Sequence, residues 1–262
     1  MAIAGKAGNV YGNALLIEDC EDAWTTGGAG RVVSTTTGKV GTYSARVTTT
    51  TIGVTTLLSY EAITKNLTTY DGIYWWTRNS QATAAGGLQL LLDESADCLS
   101  PEESLNFPTC VANTWRQCFA RLSNPSVLDA VVAVGLYQVT DLSDDNFDID
   151  DVEALQELDG IKSWSLDSTA DTLEATDFDD VGVKAYIIGG SGWSGSFEGF
   201  KDTTPLGIGA EVYLVLGEST TAYQNWIGKA IITACHPSTS LDGIVTYAYD
   251  FQGTGELKSP DA

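Results

Sequence analysis

The sequence is built from short alternating polar and apolar runs separated by turn-forming residues, and this pattern constrains the fold most strongly. β-Branched and aromatic residues fill the runs, while Gly, Asn, Asp and Ser separate them. The clearest runs are Arg31–Thr35, Tyr43–Thr50, Gly72–Thr77, Leu88–Leu92, Thr114–Leu122 and Val131–Gln138. Many short strands at such spacing are typical of β-sandwiches and barrels. We therefore predict an all-β fold with one short helix, Asp179–Ile188, and a turn near Ser219–Tyr223.

The charge of the chain argues against a surface that reads DNA. Its 262 residues include 35 acidic and 13 basic side chains, for a net charge of -22. Residues 15–155 carry 19 acids and 7 bases, and the remainder carries 16 and 6, so the acid is spread evenly. A surface that reads DNA needs clustered Lys and Arg to neutralise phosphates. We therefore expect the surface of this protein to repel DNA.

Residues that commonly carry catalysis are scarce in this sequence. His236 is the single histidine, so the sequence excludes a multi-histidine metal site. Cys235 and His236 are neighbours, and neighbouring strand residues point to opposite faces. We expect His236 to face solvent at a strand end. A two-carboxylate glycosidase remains formally open, but no acid pair stands out, and we predict that the protein is not an enzyme.

The cysteines and the apolar runs indicate in which cellular compartment the protein is made. The five cysteines form no C-x-x-C pair, so they give no zinc signature. Cys98 and Cys110 flank a loop-like stretch and are either bridged or buried free thiols. The N-terminus has no apolar run long enough for a signal peptide, and no later segment could span a membrane. We expect synthesis in a cytoplasm and no membrane insertion.

The most specific motif is a pair of tryptophan-serine strands on either side of an acidic, threonine-containing link. It is accompanied by characteristic opening and closing segments. The five segments are Trp164–Asp167, Thr172–Phe178, Trp193–Gly199, Phe251–Gly255 and Met1–Tyr11. Together they resemble the major tail tube protein of long-tailed (siphovirus-type) bacteriophages.

About 145 residues separate the opening strand from the first tryptophan-serine strand, and this piece has its own beginning and end. It opens with Leu15–Trp24, passes through a glycine turn to Val47 and closes with Asn146–Leu155. These segments resemble strands of jelly-roll domains of the carbohydrate-binding-module type. The termini of such a sandwich lie side by side, where insertion is tolerated. We predict a discontinuous tube domain, 1–14 and 156–262, interrupted by a jelly-roll insert, 15–155.

The tube resemblance implies a structural virion protein of the phage tail, made in the bacterial host cytoplasm. Six copies would join sheet edges into a ring, and rings would stack head to tail into a tube that conducts DNA from capsid to host. Partners would be further copies, other tail proteins and, transiently, DNA in an acidic lumen, with Glu211–Leu216 and Gly228–Ala234 as wall segments. Contacts between subunits or rings would involve the link Thr172–Phe178 and a glycine-rich turn at Gly189–Gly192. The residues concerned are Thr172, Leu173, Glu174, Thr176, Phe178, Gly190 and Gly192.

The jelly-roll resemblance implies two binding sites in the insert. Glu21 and Asp150, with backbone oxygens between Gly38 and Tyr43, match a structural calcium site, since oxygen ligands suit Ca²⁺. The alternative is a solvated acidic end of the sandwich. Trp75 and Trp76 follow Tyr74, so at least one of the three should face away from the core and could stack on a glycan. The alternative is that these rings belong to the core or to an interface.

Three rival functions remain open on the sequence alone. A surface or secreted carbohydrate-binding protein without tube assembly explains the insert but not the tryptophan-serine strands. A polysaccharide-degrading tail enzyme lacks a marked acid pair. A tail-terminator or baseplate ring is a close neighbour of the tube within the structural class. Self-assembly into filaments would discriminate among them.

Overall fold

The computed structural model describes residues 8–50, 53–142, 144–176, 183–201, 204–218, 224–239 and 243–260. Within these ranges the regular elements are β-strands, apart from a single 3₁₀ turn at Pro125–Val127. The all-β prediction is therefore confirmed. Contacts divide the chain into two units, which we call unit 1 (residues 1–10 and 158–262) and unit 2 (residues 11–157).

Unit 2 is formed by the first eleven strands. They are β1 (Asn9–Glu18), β2 (Thr25–Thr26), β3 (Arg31–Thr37), β4 (Tyr43–Thr49), β5 (Thr56–Lys65), β6 (Gly72–Asn79), β7 (Leu88–Asp93), β8 (Glu103–Asn106), β9 (Arg116–Arg121), β10 (Val131–Gln138) and β11 (Asn146–Glu157). In one sheet the order is β1, β11, β4 and β3. In the same sheet β6 pairs with both β11 and β9. In the other the order is β2, β5, β10, β7 and β8. Neighbouring strands in both of these sheets run antiparallel.

The two sheets of unit 2 enclose one apolar core. Alternate residues of the strands point into it, as the period of two along a strand requires. Leu90 and Leu136 enter from the five-stranded sheet, and Trp75, Phe147 and Ile149 enter from the other. Because both sheets contribute to one buried cluster, unit 2 is a β-sandwich. The opposite face of β11 carries the carboxylates of Asp148, between Phe147 and Ile149, and of Asp150.

Unit 1 is a single antiparallel sheet in the described residues. Its strands are β12 (Ile161–Glu174), β13 (Tyr186–Phe200), β14 (Glu211–Gly217), β15 (Asn225–Ser238) and β16 (Thr246–Gly253). The order is β12, β13, β16, β15, β14. Trp193, Phe197, Phe251, Ile232 and Leu214 form the buried cluster on one face.

Trp193 explains why the closing segment of the sequence is rich in glycine. A Cβ on Gly253 would overlap the indole ring, and a Cβ on Gly228 would lie 2.7 Å from ring atom Cζ2. The indole Nε1 donates a hydrogen bond to the carbonyl of Gly255 at 3.0 Å, and Gln252 Nε2 donates to the Trp193 carbonyl at 2.8 Å. The second tryptophan-serine strand and the closing segment are therefore parts of one packing arrangement.

Two local predictions in unit 1 were wrong. The helix expected at Asp179–Ile188 is a strand over residues 186–188, because Ile187 pairs with Leu173 in the antiparallel ladder, and β-branched residues favour strands. Residues 179–182 and the turn near Ser219–Tyr223 lie outside the described residues. The glycine-rich segment Gly189–Gly192, expected as a turn, lies inside β13, where a register irregularity occurs opposite residues 170–172. Glycine within a strand often marks such a bulge.

Candidate functional site

The β12–β13 hairpin is the most exposed regular structure in unit 1. Its strands pair from Ile161 opposite Gly199 at one end to Glu174 opposite Tyr186 at the other. Among the described pairings, β12 has β13 as its one partner, so β12 is an edge strand. Nearly all residues of β12 are exposed or half-buried. A long exposed edge presents unpaired backbone groups and is a template for association with another strand.

The far end of this hairpin is apolar and solvent-exposed. The side chains of Leu173, Tyr186, Ile187 and Ile188 are 55%, 57%, 57% and 79% exposed. Leu173 and Ile187 are paired across the strands and share one face, so Tyr186 and Ile188 lie on the other. We call these four residues the hairpin tip. Exposed apolar side chains grouped at one end of a hairpin make it a candidate contact surface.

The predicted contact residues fall on this hairpin where the structure describes them. Thr172, Leu173 and Glu174 end β12, and Gly190 and Gly192 lie in β13. Phe178 lies outside the described residues.

Thr176 follows β12 and closes the end of the ladder. Its Oγ1 donates to Glu174 Oε1 at 3.1 Å and accepts a hydrogen bond from the Ala185 amide at 3.1 Å. Lys184 Nζ pairs with Glu174 Oε2 at 2.7 Å. The segment expected as an acidic link is therefore strand up to Glu174.

The Asp150 carboxylate binds the backbone of the segment Gly38–Tyr43, which we call the glycine turn. Its side chain is fully buried, and Oδ2 accepts hydrogen bonds from the amides of Lys39 at 2.6 Å and Val40 at 3.0 Å. Oδ1 is buried and has no hydrogen-bond partner. Burial raises the pKa of the Asp150 carboxyl from its ordinary 3.8 to about 6; the amides of Val40, Lys39 and Asp151 only partly offset that effect, and the Asp151 carboxylate adds to it. An ionised carboxylate here has an unsatisfied oxygen.

Glu21 holds the other side of the same turn. Its Oε1 accepts a hydrogen bond from the Thr42 amide at 2.7 Å, and Oε2 accepts one from the Tyr43 amide at 3.1 Å. Gly41 has a φ of +66° and lies against the carboxylate, where a Cβ would overlap Oε1. The two acids identified from the sequence, 129 positions apart, thus meet at one turn. They bind its amides, whereas carbonyls of this turn were the expected calcium ligands.

The residues around Asp150 fit a cation only in part. The Oδ1 atom of Asp150 is buried without a hydrogen-bond partner, and this oxygen could serve as a ligand to a cation. Among the residues the structure describes, no group of three or more His, Cys, Asp or Glu could hold a metal ion. A bound Ca²⁺ would therefore need main-chain or water oxygens besides Asp150 and Glu21.

Trp75 and Trp76 are not available for stacking on a glycan, which corrects the prediction made from the sequence. Trp75 is fully buried, and its ring centroid lies 5.0 Å from that of Phe107 in the core. Trp76 is 6% exposed, and the Lys39 ammonium lies 4.6 Å from its ring centroid. Tyr74 is also buried. β6 lies between β11 and β9, and both of its faces are covered, so no ring of the three is open.

A pocket that sequence analysis missed lies on the outer face of the five-stranded sheet. Its cavity volume is about 400 Å³. Tyr137, Leu57 and Gln89 form one row across β5, β10 and β7, because Tyr137 pairs with both of the others. Strand alternation around Tyr137 could have indicated this row, but which strands are neighbours is not readable from the sequence. The remaining lining residues are Thr55, Leu91, Cys98, Leu99, Pro101 and Ser104.

The loop between β7 and β8 forms one wall of this pocket and contains the buried Cys98. Cys98 is buried against Gly135, where a Cβ would lie 2.9 Å from the sulfur. Burial raises the pKa of its thiol to about 12, so the thiol stays protonated. Cys98 and Cys110 are free and buried, as one of the two alternatives for them predicted.

His236 lies on the exposed side of β15, as expected. Its Nε2 is 3.1 Å from Asp250 Oδ2 on β16, and both side chains are more than half exposed. This exposed pair has the character of a surface contact. Among the described residues, no helix has the length and apolarity needed to cross a membrane.

No protein-family profile matches the sequence, and no similar sequence occurs among curated proteins. The tail of an empty GTA particle with C6 symmetry is similar to 41% of this chain over 87% of that chain, with 16% identity and a TM-score of 0.31.

Two carbohydrate-binding structures from Clostridium thermocellum are also similar. The family 11 module of the cellulosomal cellulase Lic26A-Cel5E matches 56% of this chain over 96% of its own, with 15% identity and a TM-score of 0.39. The CBM22-1–GH10 modules of endo-1,4-β-D-xylanase 10B match 58% of this chain and 29% of their own, with 14% identity and a TM-score of 0.39. At these identities the similarities concern the fold alone.

Proposed function

We propose that the chain is a non-enzymatic structural subunit of a phage tail tube. Unit 1 would associate with further copies through its edge strand β12 to form rings, with six copies as the expected number. Rings would stack into a tube that conducts DNA from capsid to host. The observation that carries this proposal is the β12–β13 hairpin, which joins an edge strand of 14 residues to an exposed apolar tip. Such a strand in a lone monomer invites aggregation, and a tube would bury it.

The exposed face of the unit 1 sheet supports a role as the tube wall. Asp167 pairs with Ser194, which pairs with Gln252, and this row continues through Ile231 to Glu211. Asp250 lies two positions from Gln252 on the same face, opposite the buried cluster. Asp167, Glu211 and Asp250 are all exposed. A lumen lined by such carboxylates would repel phosphates and let DNA slide.

Electron microscopy of the purified full chain, concentrated alone, tests the proposal. We expect rings or hollow tubes of uniform width. A useful control is the variant Leu173→Ser with Ile188→Ser, which changes two exposed side chains and should leave the fold intact but reduce assembly. Monomers at every concentration, including after addition of preformed tail initiator complexes, would contradict the proposal and favour a carbohydrate-binding protein without tube assembly.

We further propose that unit 2 binds a glycan in the pocket beside Tyr137. An aromatic ring next to Gln89 and Ser104, with their polar side chains, offers stacking and hydrogen bonding in one place. Many copies on one tube would raise a weak affinity through multivalency. Glycan-array binding by the wild type should fall about tenfold or more in Tyr137→Ala, while Trp115→Ala serves as a control aromatic outside this pocket. Equal binding by the two variants would contradict this site.

We also propose a structural Ca²⁺ at Asp150 Oδ1, since a cation there would satisfy a buried carboxylate oxygen that lacks a partner. Calcium at 100 times its dissociation constant should stabilise unit 2 by about 2.7 kcal/mol. Thermal unfolding with calcium, magnesium or a chelator measures this effect. Asp150→Asn should abolish the response, whereas Asp22→Asn, at an exposed acid nearby in sequence, should retain it. An identical response in both variants would rule out this ligand.

A further inference from the structure

The pocket beside Tyr137 has an apolar floor and a small volume. Its cavity of about 400 Å³ is near the lower end of the range for ligand pockets, about 300–1,000 Å³. Leu91 lines the floor, is 2% exposed and pairs with Gly135 on β10. A Cβ on Gly135 would lie 2.9 Å from the Cys98 sulfur and 3.3 Å from Leu57 Cδ1, so the missing side chain makes room for these two. A pocket of this size holds the end of a glycan rather than a long chain.

Tyr137 separates an apolar side of the pocket from a polar side. In the sheet Tyr137 pairs with Leu57 on β5 and with Gln89 on β7, so the ring stands between a leucine and an amide. Leu99, which is 71% exposed, and Pro101 add apolar lining from the loop between β7 and β8. A sugar ring that stacks on Tyr137 therefore has one edge toward Leu57 and the other toward Gln89.

The polar groups of the pocket are arranged to accept hydrogen bonds. Gln89 Nε2 donates to Asn106 Oδ1 at 2.9 Å, which leaves Gln89 Oε1 as an acceptor for a ligand. The Thr55 hydroxyl donates to the Val54 carbonyl at 2.8 Å, so the Thr55 oxygen also accepts from a ligand. The exposed hydroxyl of Ser104 can donate or accept. A ligand that matches these groups carries hydrogen-bond donors, as the hydroxyl groups of a sugar are.

The charge around the pocket disfavours an anionic ligand. None of the described lining residues is Lys, Arg or His. Burial raises the pKa of the Cys98 thiol to about 12, and the carboxylates of Asp93, Asp97 and Glu102 add to that effect. The wall of the pocket therefore lies in a negative potential. A sugar with a carboxylate, sulfate or phosphate group would meet this potential without a basic partner, whereas a neutral sugar would not.

Resting on the glycan site proposed above, we propose that this pocket binds a terminal, neutral 6-deoxyhexose. The ring stacks on Tyr137, and its hydroxyl groups donate to Gln89 Oε1 and Thr55 Oγ1. Its methyl group contacts Leu57 and Leu99. An ordinary hexose has a hydroxymethyl group at that place, and its hydroxyl would be desolvated beside two leucines without a partner, which weakens binding. The methyl group of the deoxy sugar covers apolar surface instead.

Titration of the full-length chain with two matched pairs of sugars tests this proposal. Methyl α-L-rhamnoside is compared with methyl α-L-mannoside, and methyl α-L-fucoside with methyl α-L-galactoside, because the members of each pair differ only in the oxygen at C6. Ligand-observed NMR gives the dissociation constants. We expect the deoxy member of at least one pair to bind about tenfold or more tightly than its parent. Methyl α-D-galacturonoside, the anionic probe, should bind more weakly than the preferred deoxy sugar.

Variants at two lining residues locate the methyl contact. Leu57→Ala and Leu99→Ser should each reduce the preference for the deoxy sugar to about threefold or less, because each removes apolar surface beside the methyl group. Val111→Ser is the control and should keep the preference, since its side chain is 63% exposed and is not part of the pocket lining. Circular dichroism verifies that each variant is folded, and the exposed Leu99 can be changed without disturbing the core.

The outcomes separate the choice of sugar from the glycan site itself. Equal or tighter binding of the parent hexoses or of the uronoside, or array binding only to glycans without a 6-deoxyhexose, would overturn this inference and leave the glycan site standing. An unchanged preference in both Leu57→Ala and Leu99→Ser would do the same. Absence of binding to every sugar, on the array and in solution, would overturn both.

Discussion

Replacing Trp193 by alanine is expected to lower the free energy of unfolding of unit 1 by about 3–5 kcal/mol, the cost typical of removing a large buried aromatic side chain. The ring is 5% exposed and lies 6.0 Å from the Phe251 ring, centroid to centroid. Gly228 and Gly253 leave a slot for the indole that no other side chain fills. The substitution would therefore leave a cavity and remove the hydrogen bond to the Gly255 carbonyl.

Urea unfolding followed by circular dichroism measures this loss, and amide hydrogen exchange assigns it to unit 1. Ile244→Ala, at a side chain that is 69% exposed, is the control and should change stability by no more than about 0.5 kcal/mol. Gly253→Ala should also destabilise, because its Cβ would overlap the indole. The double variant Trp193→Ala with Gly253→Ala should then cost less than the sum of the two. Additive effects would contradict the packing described for this slot.

The second large effect is expected at Asp148 in unit 2. Its carboxylate is 1% exposed and binds two arginines: Arg46 Nε donates to Oδ1 at 2.6 Å, and Arg78 Nε donates to Oδ2 at 2.8 Å. Arg78 also stacks on Trp115, with its guanidinium carbon 4.6 Å from the ring centroid. Asp148→Ala would leave two guanidinium groups facing each other without their shared counter-charge. We expect a loss of about 3 kcal/mol in the stability of unit 2.

The matched control is the ion pair between Arg121 and Glu157, which lies in the same unit but at its surface. Arg121 is 56% exposed. Arg121→Ala should therefore cost at most about 1 kcal/mol, as exposed pairs do. Urea unfolding of both variants at low and high salt measures the difference. Equal losses in the two variants would show that burial does not strengthen the Asp148 cluster.

Several features of the site followed from the sequence because they depend on local pattern. Alternation located the strands, since a side chain's face is set by its position along a strand. The resemblance to jelly-roll modules, and not a local pattern, implied that Glu21 and Asp150 lie at one turn, where the structure has them. The closing segment was identified from the sequence only as part of the tail-tube resemblance, and its contact with Trp193 was found in the structure.

Other features could not be predicted because they depend on strands distant in sequence. Gly189–Gly192 resembles a turn by composition, yet hydrogen bonds from β12 hold it in a strand. Trp76 appeared free to face solvent, but the glycine turn brings Lys39 over its ring. The row of Tyr137, Leu57 and Gln89 exists because β10 lies between β5 and β7.

The sequence by itself determined that this protein is all-β and strongly acidic and that it contains a single histidine, since composition and alternation are properties of the chain. Only the tertiary structure decided the register of the sheets. Because side chains alternate along a strand, register fixes which residues share a face. It therefore placed Asp167, Glu211 and Asp250 on one surface and brought Leu173 and Ile187 together at the hairpin tip.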